Sequence, residues 1–160
     1  MRTGCTAMIA IVLATPALAD DCDAWKAGIE QDEGGPAMTA SICAADRPDD
    51  LLLITCGGEN KLGLRFLPMT GDEYPPGGDM NHESKFVFAS ETLSAKVTLR
   101  YEAMDGAMTA TPRRDSELVS VLKASGPMTV TDATGILPAA TFSLKGSSRA
   151  IGRVERACHD

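Results

Sequence analysis

The sequence predicts an α+β fold: a mostly antiparallel, sandwich-like β domain with two helices in its C-terminal half, set behind a cleaved signal peptide. Three observations lead there. Short apolar runs alternate with polar residues and are separated by Gly, Pro, Asp and Asn. Helical spacing of apolar residues appears only near 115–123 and 147–158. The first 19 residues follow neither pattern and have an export signature instead.

That signature consists of Met1-Arg2, an apolar stretch from Thr6 to Ala14, Pro16, and the small-x-small site Ala17-Leu18-Ala19. Cleavage after Ala19 would leave 160 − 19 = 141 residues, 20–160, as one exported domain. Hydrophobic content of 44% and charge of 23% exclude a disordered chain. The longest strongly apolar run after the leader is Leu51-Leu52-Leu53-Ile54, far short of the ~18 residues of a membrane helix.

The elements follow in order. Residues 22–35 carry Trp25 and Ile29 among acids and stop at the breaker Gly34-Gly35-Pro36. Met38, Ala40 and Ile42 alternate with polar residues, as in a strand. Leu51–Cys56 and Lys61–Leu67 form a hairpin around Gly57-Gly58-Glu59-Asn60. Pro68 to Ser84 has no apolar period and reads as a long loop. Phe86 and Phe88 mark a strand, and Val97, Leu99 and Tyr101 share one face of another. Asp105-Gly106 then turns the chain into Met108 and Ala110. Asp115 is positioned to cap a helix with the stripe Leu118, Val119 and Leu122. Strands at Met128–Thr131 and Ala140–Leu144 follow, and Ala150, Ile151, Val154 and Cys158 define the face of a last helix. Seven or eight strands result.

Net charge is −7, or −8 without Arg2 of the leader. Residues 20–83 hold 14 acids and 4 bases, whereas 84–160 hold 8 acids and 10 bases. An acidic chain repels polyanions, so nucleic acid is not an expected partner. Cys5 lies in the leader, leaving Cys22, Cys43, Cys56 and Cys158. An even number in an exported chain implies two disulfides, with three possible connectivities. We pair Cys56 with Cys158, because a strand end and the core-facing last helical position can lie over one sheet. Cys22 then pairs with Cys43.

Catalytic and metal patterns are sparse, and no catalytic residue, metal or cofactor is assigned. Ser120-Val121-Leu122-Lys123 matches S-x-x-K, but neither S-D-N nor K-T-G accompanies it. Met69, Met80 and His82 could in principle hold copper, yet they form no motif. Asp20-Asp21, Asp32-Glu33 and Asp49-Asp50 read as solvated turns, and Met104 and Met108 as packing residues. Arg149, Arg153 and Arg156 fall on one helical face opposite the apolar stripe, which makes them the candidate binding residues. With the loop from Gly71 to His82 they form the expected contact surface.

The run Leu51-Leu52-Leu53-Ile54-Thr55-Cys56, then Leu118–Lys123, Pro138–Ser147 and Ala150–Cys158, resembles the VasI-like periplasmic accessory proteins of type VI secretion. In outline it is also similar to small exported proteins of the invasion-associated locus B type. The Gly/Pro loop at 68–83 has no counterpart in the VasI-like pattern. The resemblance implies a non-enzymatic periplasmic or secreted module that contacts another envelope or secreted protein. Two other readings compete with it: an inhibitor that plugs a lytic enzyme with the 68–83 loop, and a small hydrolase using Ser120.

Overall fold

The structure is a computed structural model, and it describes residues 22–32, 34–69 and 74–158. The expected leader and His159 lie outside the described residues. Nine strands form one sheet: β1 (Lys26–Asp32), β2 (Gly35–Cys43), β3 (Leu51–Cys56), β4 (Leu62–Leu67), β5 (Glu83–Ser90), β6 (Ser94–Glu102), β7 (Ala107–Ala110), β8 (Pro127–Asp132) and β9 (Ala140–Ser143). Helix α1 (Glu117–Leu122) precedes β8, and α2 (Ser147–Ala157) follows β9. The order across the sheet is β1-β2-β3-β4-β7-β6-β5-β8-β9, with every pairing antiparallel. This order explains the long loop. The segment after Pro68 must carry the chain from β4 past the positions of β7 and β6 to reach β5.

Two layers arise because this one sheet rolls over on itself. Phe66 of β4 meets Phe86 of β5 edge to face, with ring centres 5.9 Å apart, and Phe142 of β9 at 6.1 Å. Neither strand is a neighbour of β4, so these rings touch only because the inner faces oppose each other. The cause is visible in the alternation of β4: Leu62, Leu64 and Phe66 are buried, while Gly63, Arg65 and Leu67 are half-buried on the other face. Each large side chain so buried stabilises the fold by roughly 1.5–3 kcal/mol.

The roll has two distinguishable ends. At the end marked by Cys56 and Leu62, α2 is tied down by the Cys56–Cys158 disulfide, with Cα atoms 5.5 Å apart. Its Ala150, Ile151 and Val154 enter the core, as the stripe predicts. Helix α1 sits at the same end, where Leu62 N donates to Pro112 O at 2.9 Å and Lys123 pairs with Glu155 of α2 at 2.6 Å. The opposite end, marked by Leu67, Tyr101 and Met108, is closed by the loop. There Tyr101 N donates to His82 O at 2.8 Å, and Tyr74 packs edge to face on Tyr101 and His82. The second disulfide joins Cys22 to Cys43, with Cα atoms 4.9 Å apart. Both pairings are those the sequence predicts.

Four local expectations need correction. Residues 26–32 form a strand, where the sequence shows only a run of acids before a breaker. The cap of α1 is Ser116, whose Oγ accepts from Val119 N, because Arg113 engages Asp115 through two hydrogen bonds of 2.9 Å. Asp50 is 1% exposed, so it is not part of a solvated turn. Met108 is fully buried, but Met104 is 85% exposed and so is not a packing residue of the core.

Candidate functional site

Helix α2 and the segment entering β1 enclose a groove of about 570 Å³. Its walls include Trp25, Ala27, Lys145, Gly146, Arg149 and Arg153. Trp25 forms a fixed wall because its backbone N–H donates to Lys145 O at 3.0 Å and its indole N–H to Ser143 O at 2.9 Å. Spacing of four brings Arg149 and Arg153 onto one side of α2, and Arg153 Nη1 donates to Ala27 O at 2.9 Å. Arg156 continues the stripe, with its Nη1 beside Gly152. Three cations line this groove and no carboxylate does, on a chain whose net charge is −7. Among the described residues none of the three forms an ion pair.

A second depression, of about 780 Å³, lies on the outer face of the sheet across β3, β4, β7 and β6. Thr55, Thr98, Thr109 and Thr111 supply hydroxyls to it. Gly63 lies in its floor, where a Cβ would stand 2.6 Å from Thr55 Oγ1 and force that hydroxyl to move. Its charges are already matched: Arg65 pairs with Glu102 (3.1 Å) and with Asp105, and Arg100 pairs with Glu83 (2.8 Å). The depression is polar but neutral, and it offers a charged partner nothing unpaired.

At the loop end two carboxylates, Asp50 and Asp132, are buried and hydrogen-bonded. Asp50 accepts from Arg47 Nε at 2.6 Å and from Met69 N at 2.7 Å, pinning the start of the long loop. Asp132 is 2% exposed and accepts from Ser84 Oγ, from Thr134 Oγ1 at 2.6 Å, and from the amides of Thr134 (3.0 Å) and Leu137 (3.3 Å). Burial pushes its carboxyl up, but these hydrogen bonds outweigh burial and hold it below the usual carboxylate range. Tyr74 donates to Met108 Sδ at 3.1 Å. Burial, then the Asp132 charge, then Tyr101, push its phenol up to about 12.

Methionine–histidine copper chemistry gains nothing from this arrangement. Met69 and Met80 are 63% and 62% exposed, and His82 packs its ring against Tyr74. Among the described residues no group of three His, Cys, Asp or Glu side chains could hold a metal. Nor are Ser120 and Lys123 paired with each other: Ser120 Oγ donates to Ser116 O, and Lys123 Nζ donates to Glu155. Among the described residues no helix is long and apolar enough to cross a membrane.

The arginine stripe and the loop therefore do not form one surface. Arg149 and Arg153 lie at the helix end, whereas Tyr74 to His82 close the opposite end of the roll. The sequence brought the arginines to notice but not their neighbours Lys145, just ahead of α2, and Trp25, which joins the groove because the segment entering β1 bonds to Lys145 O and Ser143 O. Comparison with protein-family models finds no match, and comparisons with curated proteins and with solved structures find none either.

Proposed function

We propose that this protein is a non-catalytic binding module of the periplasm or the extracellular space. It holds an acidic segment of another envelope or secreted protein in the groove beside α2. One observation carries the reading: Lys145, Arg149 and Arg153 converge on a groove without a carboxylate, on a chain that is otherwise acidic. Guanidinium groups suit such a partner because their planar donors match carboxylates two at a time. Arg153 is already oriented by its bond to Ala27 O, which reduces the entropy lost on docking. Two disulfides fit an oxidising compartment, and the export signature at residues 1–19 agrees with it. The VasI-like resemblance adds a secretion-accessory setting to this reading.

The single tryptophan of the chain, Trp25, lines the groove, so its fluorescence reports occupancy at the site itself. Titration with a glutamate-rich peptide should change Trp25 emission saturably, with an affinity that falls as salt rises. The double reversal Arg149→Glu, Arg153→Glu should weaken binding at least about tenfold while changing stability by less than about 0.5 kcal/mol. Equal binding by the reversed variant would refute the proposal.

A further inference from the structure

The two edges of the sheet are finished differently. The free edge of β9 is sealed: Ala45 N donates to Thr141 O at 2.7 Å, Thr141 N donates to Asp46 Oδ1 at 2.8 Å, and the Trp25 indole takes Ser143 O. The other edge is β1, seven residues without a proline. An unsealed edge of this kind is a template for pairing with another strand.

The register shows which backbone groups it offers. β1 and β2 pair from Lys26↔Ser41 to Asp32↔Gly35. In an antiparallel ladder only every second pair exchanges hydrogen bonds. Gln31 faces Pro36, which has no N–H to give, so that pair is a non-bonded one. Counting back by two, Ile29↔Met38 and Ala27↔Ala40 are non-bonded as well. The N–H and C=O groups of Ala27, Ile29 and Gln31 therefore point away from β2. The bond from Arg153 Nη1 to Ala27 O is independent support for this parity. Among the described residues nothing covers the outward groups of Ile29 or Gln31, and the Ile29 side chain is 69% exposed.

We infer that this edge is an interface for a second copy of the chain, with β1 pairing antiparallel to its own counterpart about a twofold axis at Ile29. That register matches outward groups with outward groups throughout. Ile29 faces Ile29 of the second copy and exchanges two hydrogen bonds with it, and Ala27 faces Gln31 on either side. The two exposed isoleucines shield each other from water. Glu30 falls opposite Gly28, so like charges do not meet. Moving the axis to residue 30 would set Glu30 against Glu30. Moving it to residue 28 would set Gln31 against Trp25, whose N–H already donates to Lys145 O, and would leave the two isoleucines apart. The resulting contact is isologous, closes as a dimer and leaves no further edge open. It adjoins the cationic groove at Ala27, whose carbonyl accepts from Arg153 and has a second lone pair for Gln31 of the second copy.

Sedimentation equilibrium of the purified protein over a wide concentration range tests the inference. The wild-type mass should rise with concentration from monomer toward dimer and no further. Ile29→Pro removes only an outward N–H that the molecule's own ladder does not use, so the fold is retained. It should weaken dimerisation at least about tenfold. A spin label at Ile29→Cys in the dimer should report a single short label-to-label distance, because only the central register sets residue 29 opposite itself. A wild type that stays monomeric at every concentration would overturn the inference. So would a dimer that Ile29→Pro leaves intact. A monomeric wild type that loses capture of a foreign strand on Ile29→Pro would assign the edge to a different partner and equally refute self-pairing.

Discussion

The two ends of the rolled sheet hold themselves together by different means. The helix end uses a covalent bond between Cys56 and Cys158 and an apolar stripe on α2, and no carboxylate joins the three cations of its groove. The loop end has the short-range Cys22–Cys43 bond, with Cys43 opposite Leu51, but none that ties a helix down. It is fixed by buried carboxylates, Asp50 and Asp132, whose oxygens are satisfied by neighbouring donors. A charged group that is buried and saturated is part of the scaffold. One that is exposed, pre-oriented and unpaired is available to something outside the molecule. By that criterion the helix end is where we propose that a partner binds, and the loop end is scaffold.

The comparison can be strained first at the helix end. Replacing Cys56 and Cys158 together by serine opens a loop spanning 102 residues of sequence. On the chain-entropy account it should cost about 4 kcal/mol, read as a lower denaturation midpoint. Groove binding should weaken in step as α2 loosens.

At the loop end, Asp132→Ala leaves the Ser84 and Thr134 hydroxyls and two amides without their acceptor. Chemical denaturation should show a loss of about 3 kcal/mol. Because the folded carboxyl lies below its unfolded value, its contribution is complete above the unfolded pKa and is lost as pH falls through the folded one. The wild type should therefore lose stability in that acidic window more steeply than the variant. Groove binding by the variant, measured where it is folded, should match the wild type.

A smaller effect lies at alkaline pH. Tyr74, held up to about 12, keeps its proton when an unfolded tyrosine has already lost it near pH 10. The folded state thus binds more protons between these values, and its stability falls as pH rises through them. Ultraviolet titration should show one phenol ionising near 12, and Tyr74→Phe should remove that component.

Much of the fold is legible in the sequence because burial enforces it locally. β4 alternates strictly, so Leu62, Leu64 and Phe66 reveal both the strand and its inner face. β1 is not legible for the converse reason. Lys-Ala-Gly-Ile-Glu-Gln-Asp packs little of itself, and pairing with β2 and the Cys22–Cys43 bond hold it as a strand. The site divides the same way. Arg149 and Arg153 are visible as a helical spacing, whereas Trp25 reaches them through a contact between segments more than a hundred residues apart. Asp132 gives no local signal either, since its partner Ser84 comes from a strand 48 residues away.

Mapping an acidic peptide onto the molecule by amide chemical-shift perturbation tests the division between the two ends most directly. The account predicts shifts confined to Ala24–Ala27 and Lys145–Arg153, abolished by Arg149→Glu with Arg153→Glu, and none from Tyr74 to His82. Shifts concentrated in that loop, or in the threonine-lined depression of the outer face, would contradict it.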